Sequence, residues 1–280
     1  IILAKQEKLI EAGLLPKPTK SRKKGKKGSL ERKAKVEYTK RKSDDFKPTV
    51  KAPLDPLQDE FLEACSYYVD TYPKNNKVPE VSFLAAEIYI GKGHYEGGIK
   101  RLEVIMEYHP KHRFAGFAAA TLFDANYRLK RWDQMERWGR YMLKRKNFKV
   151  MNKKKLLEVI AISINEYATE LSAKGQNDLA AKQMMRFVNE FPKHDKAPIA
   201  LYNAAAINEK AERNEEAIRL YERVIKAYPK APQATESHYV LGLLYESQTN
   251  FEKAAWYFEK MASFPDVPQM ADALYNAGSV

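Results

Sequence analysis

"LYNAAAINEKAERNEEAIRLYERVIKAYP" fills residues 201–229, and "HYVLGLLYESQTNFEKAAWYFEKMASFP" fills residues 238–265. Laid over one another, the two stretches agree column by column. Ala205 falls on Gly242, Ala217 on Ala254, Tyr221 on Phe258, and Pro229 on Pro265. Each stretch reads as two amphipathic helices joined by a short turn, and β-branched alternation is scarce. The small residues let the two helices approach closely, and the aromatic fills the space beside them. Proline has no amide donor and disfavours helix at the residue before it, so the second helix must end there.

The same punctuation recurs along the chain. Pro73 and Pro110 are 37 residues apart, and Pro192, Pro229 and Pro265 follow one another at 37 and 36. The 82 residues between Pro110 and Pro192 leave room for two units with lengthened middle helices. Ala86, Gly98 and Leu102 occupy the shared columns in one earlier unit, and Ala168, Ala180 and Met184 in another. The unit at 116–147 fits least, with Met135 and Gly139 in the columns where the others hold a small residue and a large one. A second proline often follows the first (Pro79, Pro198, Pro232, Pro268), which suits the opening turn of a helix. A fixed period of this length signals stacked units that cannot bury their apolar faces alone.

The columns Leu241, Gly242, Tyr245, Ala254, Phe258 and Pro265 resemble the tetratricopeptide repeat. The resemblance covers roughly residues 58–280. It departs from the family in a period of 36–37 rather than about 34 residues and in the absence of the first bulky Trp. It implies an all-α, right-handed α-solenoid of about five to six helix-turn-helix repeats over residues 52–280, broken off in mid-unit at Val280.

Composition adds boundaries. Residues 1–51 hold 17 Lys/Arg against 6 Asp/Glu, whereas residues 52–280 are nearly balanced. Of the net charge of +13, +11 therefore belongs to a basic N-terminal segment, read as a mostly disordered tail or linker with a short helix at 2–12. Arg22, Lys23, Lys24, Lys26 and Lys27 are its densest stretch, and no aromatic is interleaved to stack bases. A weak tether to anionic surfaces is the expectation there, rather than specific nucleic-acid binding. The chain starts at Ile1, which reads as a fragment or processed product whose leader or anchor is not seen. The single Cys65 excludes an internal disulfide and reads as a core residue.

No catalytic or metal constellation emerges. "GKGHYEGG" (91–98) lacks the strand and the Lys-Ser/Thr ending of a phosphate loop and falls on a turn. His109, His112 and His194 sit in inter-repeat loops without the ligand set a metal needs. No cofactor and no small-molecule substrate are expected. The informative column is the one the resemblance assigns to the concave groove: Phe83, Asn165, Tyr202, Tyr239 and Tyr275, beside Asn203 and Asn276. Tyr offers rigid contact area and Asn pairs with backbone amides, which suits peptide binding. The other reading is that these rings pack between neighbouring helices. The expected function is a non-catalytic scaffold that holds a protein or peptide partner. The aromatic-Pro repeat ends resemble those of bacterial periplasmic and envelope members of the family, which points to the periplasm or cell envelope. A cytosolic adaptor, or a helical-repeat protein associated with nucleic acid through its basic tail, are the alternatives.

Overall fold

A computed structural model describes residues 50–145 and 151–262, with Phe264, Tyr275 and Gly278 singly. The segment at 2–12, the five basic residues at 22–27, Pro265, Pro268 and Asn276 lie outside the described residues. Among the described residues eleven helices follow in order: α1 Pro56–Thr71, α2 Val78–Gly91, α3 Tyr95–Tyr108, α4 Ala115–Arg128, α5 Trp132–Lys144, α6 Lys153–Ala173, α7 Asn177–Glu190, α8 Ala197–Lys210, α9 Asn214–Ala227, α10 Pro232–Ser247 and α11 Phe251–Ala262. No strand occurs among the described residues. The even-numbered helices open each pair and the odd-numbered ones close it. At 21 residues, α6 supplies the extra length that the 82-residue proline interval requires; α4 and α8 have 14 each.

The helices form two compact units, one up to Val159 and one from Ile160. In the first, α1 packs on α2, α2 on α3, α3 on α4 and α4 on α5. Its core runs through Leu102, Ile105, Met106, Leu122, Trp132 and Trp138, with a smaller cluster at Phe61, Leu62 and Cys65. In the second, α7 to α11 pack each on the next, and α8 also lies against α10. Cys65 is fully buried and burial pushes its thiol up to about 12, so it is packing rather than a nucleophile.

Two turns are built again and again. Within each pair, one residue takes a positive φ: Gly93, Lys130, Gly175, Glu212 and Thr249. The amide of the next residue reaches back five residues to a helical carbonyl, as His94 N to Tyr89 O at 2.8 Å and Asn250 N to Tyr245 O at 2.9 Å. This is the Schellman closure, which satisfies carbonyls the helix end leaves orphaned. The 116–147 unit, the poorest match in sequence, makes the same turn through Arg131 N and Asn126 O at 2.8 Å.

Between pairs, the residue before proline ends the helix in a nearly constant conformation. Its φ is −128° at Tyr72, −129° at His109, −128° at Phe191 and −134° at Tyr228. Proline keeps that residue out of the helical region. The second proline enters the next helix within its first turn at Pro79, Pro198 and Pro232. At the loop centre, the side chains of Asn75, His112 and His194 each accept a backbone amide two residues on. The histidines are thus pieces of a turn, held more firmly than solvated loop residues.

The aligned small and large columns are core throughout. Ala86, Leu102, Ala168, Ala180, Met184, Ala205, Ala217, Tyr221, Ala254 and Phe258 are all buried. A Cβ added to Gly242 would meet the Phe258 ring at 2.4 Å, so only glycine fits opposite that aromatic. The 116–147 unit inverts the sizes: Phe123 and Met135 are large and buried where the other units are small, and Gly139 is small where they are large. Volume is kept while the order is exchanged, which cores tolerate.

Candidate interaction face

The residue before proline does more than stop a helix. Tyr228 donates its hydroxyl to the carbonyl of Pro192 at 3.0 Å, and His109 Nε2 donates to the carbonyl of Pro73 at 2.7 Å. Both bonds span 36 residues, one repeat. A second set of one-repeat bonds joins successive closing helices. Trp138 Nε1 donates to Glu103 at 3.0 Å, Arg213 reaches Asp178 at 2.7 Å, and Tyr257 donates to Glu222 at 3.1 Å. These bonds set the register between successive pairs. The exposed side chains of the opening helices are the surface to examine.

In the second unit, that face can be read residue by residue. On α8 the positions i, i+3, i+7 and i+10 are Ile199, Tyr202, Ala206 and Glu209; on α10 they are Glu236, Tyr239, Leu243 and Glu246. Such spacing keeps each set on one stripe of its helix. Tyr202 leans on Tyr221 with ring centroids 5.3 Å apart, and Tyr239 leans on Phe258 at 5.9 Å. Each tyrosine is half-buried, with its ring against its own pair and part of its surface exposed. Asn203 is exposed beside Tyr202. Ile199 and Leu243 are 45% and 40% exposed, more than isolated aliphatics need to be inside a stack. Burial, then the carboxylates of Glu236 and Glu209, holds the Tyr202 hydroxyl above its ordinary range. Tyr221 is raised more strongly, by burial and by its 2.7 Å hydrogen bond to Glu209. Neither phenol ionises near neutrality, so both act as neutral donors and apolar surfaces.

The other members of the column behave differently. Phe83 is only 6% exposed and stacks face to face on Phe114 at 5.0 Å. It is packed between α2 and the start of α4, and has little surface left for a partner. Asn165 is half-buried on α6 and donates to the neighbouring Glu166 at 3.3 Å; Lys196 at the start of α8 pairs with that same carboxylate at 3.2 Å. Tyr275 is helical and 77% exposed, and Asn276 lies outside the described residues. Sequence reasoning missed Ile199, Leu243, Glu236 and Glu246. The signal was the i, i+3, i+7, i+10 spacing around the tyrosines.

The glycine-rich stretch at 91–98 is a turn and the first turn of α3. Gly93 takes the positive φ, and a Cβ on Gly98 would strike Ile90 at 2.5 Å. Among the described residues no group of three or more His, Cys, Asp or Glu could hold a metal ion. Among them, too, no helix is long and apolar enough to cross a membrane.

The family model "Tetratricopeptide repeat" matches residues 168–232 and 209–268. The two matches overlap and lie within the second unit. The matched span takes in the α8–α9 and α10–α11 repeats and with them the whole face described above. Solved structures similar to the chain include YrrB, described as a TPR protein with an unusual peptide-binding site, at 14% identity and a TM-score of 0.34, covering 78% of this chain and 100% of that one. The P58(IPK) TPR domain shares 18% identity with a TM-score of 0.36, over 99% of this chain and 76% of that one. A tetratricopeptide repeat protein from Parabacteroides merdae ATCC 43184 shares 15% with a TM-score of 0.32, over 99% and 97%. No curated protein matches the sequence at a significant level.

Proposed function

We propose that this chain is a non-catalytic interaction scaffold that binds an extended protein segment along the opening helices of its second unit. The observation that carries the reading is the register-matched pair Tyr202 and Tyr239. The ring of each is anchored on its own repeat and stays partly exposed; Asn203, Ile199 and Leu243 on the same helices are exposed. Anchored aromatics lose little conformational freedom on binding, so their contact area converts efficiently into affinity. The exposed Asn203 beside Tyr202 can take one donor and one acceptor from an extended backbone. The repeat family, whose members serve as scaffolds, favours a structural role over an enzymatic one.

The test is selection of binders from a displayed random peptide library on the full chain. Asn203→Ala and Tyr202→Ala should each weaken the selected peptides by about five- to tenfold, as truncation at a hot spot does. Arg219→Ala, on the exposed outer side of α9, should leave them within about twofold. Asn203 carries no core packing, so its loss separates binding from stability. Equal effects at all three positions would reject the face. The cell-envelope setting belongs to the same proposal and rests on the aromatic-Pro repeat ends. Fractionation of the native cells, with the protein found wholly in the cytosol, would remove it.

A further inference from the structure

The opening helices of the second unit differ in charge from the closing ones. Helix α10 carries Glu236 and Glu246 and no Lys or Arg, and α8 carries Glu209 with Lys210 at its last position. The α6 segment in this unit adds Glu166 and Glu170 and no base. The closing helix α9, by contrast, mixes Glu215, Glu216 and Glu222 with Arg219, Arg223 and Lys226. The acidic residues of α10 also flank its apolar ones: Glu236, Tyr239, Leu243 and Glu246 lie along one stripe. Glu209 is occupied by the Tyr221 hydroxyl, and Glu166 and Glu170 are matched by Lys196 and Lys174. Among the described residues, Glu236 and Glu246 have no ion-pair partner. Two carboxylates without a cation stand at either end of a strip of half-buried Tyr239 and exposed Leu243.

Resting on the scaffold reading above, we infer that the partner segment is a cationic peptide, with an apolar residue against Tyr239 and Leu243 and a Lys or Arg reaching each of Glu236 and Glu246. Glu236 and Glu246 are ten residues apart on α10, about 15 Å along a helix at 1.5 Å per residue. An extended peptide covers that distance in about five residues, so the fitting pattern is two basic residues four to five apart around an apolar centre. The anionic strip would also speed the encounter and make it salt-dependent. Acidic peptides meet the same carboxylates as like charges.

Fluorescence anisotropy of the full chain with three labelled peptides of equal length and apolar content tests this. One carries the spaced Lys/Arg pair, one carries Glu in those places and one carries Gln. The Lys/Arg peptide should bind at least about tenfold more tightly than the Glu peptide and weaken as salt rises. The double variant Glu236→Gln, Glu246→Gln should erase most of that preference and leave the Gln peptide unchanged. Equal binding of all three, with loss in Tyr202→Ala, would overturn the charge preference and leave the scaffold reading standing. Failure of every peptide would overturn both. Binding of the Lys/Arg peptide only after residues 1–49 are deleted would assign the strip to the chain's own Lys-rich segment and overturn the partner version.

Discussion

Gly242 shows how much a single atom decides. Replacing glycine by alanine inside a helix normally gains about 1 kcal/mol. At Gly242 the new Cβ would sit 2.4 Å from Phe258, a ring with no exposed surface into which to move. Overpacking of that kind costs about 1–3 kcal/mol, so the clash wins. Gly242→Ala should lower the melting temperature, whereas Gly91→Ala, with nothing within 4 Å of the added atom, should leave it unchanged or raise it. Thermal denaturation of the two variants side by side decides it. A β-branched residue at positive φ is strained in the opposite way. Thr249 stands at φ 59° in the turn where two sister repeats use glycine. Thr249→Gly should therefore stabilise by roughly 1 kcal/mol, read as a shift in the denaturant midpoint. The small-large columns were legible in sequence because they recur in phase. The departure at Met135 and Gly139 was legible too, but the part Phe123 plays in it was not, because a column search compares residues one at a time while packing conserves their summed volume.

At the scale of elements, the aromatic-Pro pair proves to have two jobs. Its helix-ending role follows from proline chemistry and was readable from the chain. Its second role, tying one repeat to the one before, was not, because donors as different as Tyr228 and His109 fill it. Tyr228→Phe keeps the ring and removes the bond to Pro192. It should cost about 0.5–1.5 kcal/mol, a modest loss visible in chemical denaturation. A charged tie joins α3 to α1: Arg101, almost fully buried, meets both oxygens of Asp70 at 2.9 and 3.2 Å. The guanidinium holds the Asp70 carboxyl below the ordinary carboxylate range. A depressed pKa contributes stability that is present above the unfolded value, near 3.9, and is lost as pH falls through the folded one. Stability measured from neutral pH downward should fall across that acidic window, and Asp70→Asn should flatten this part of the profile. Asp70 is half-exposed, so water screens the pair and the loss is smaller than for a fully buried bridge.

For the whole molecule, the division of labour in the sequence is stark. Residues 1–51 carry a net charge of +11, while residues 52–280 carry the recurring repeat columns. Removing residues 1–49 should leave helical circular dichroism and the melting transition nearly unchanged, because so Lys-rich a segment has few large apolar residues to add to a core. A large loss of cooperativity would contradict that boundary. The fold was legible almost in full, since periodic helices, proline stops and small-residue columns are local signals. The proposed face was legible only in part. Tyr202, Asn203 and Tyr239 came from aligning repeats, but burial removed Phe83, and exposure, which no alignment gives, added Ile199, Leu243, Glu236 and Glu246.

The central claim is that a partner lies along the opening helices of the second unit. Hydrogen-deuterium exchange of the full chain, with and without a selected peptide, tests it most directly. The account predicts new protection concentrated at residues 197–210 and 232–247, with α9 and α11 unchanged on their outer sides. Protection confined to the closing helices, or absent along α8 and α10 under saturating peptide, would contradict it.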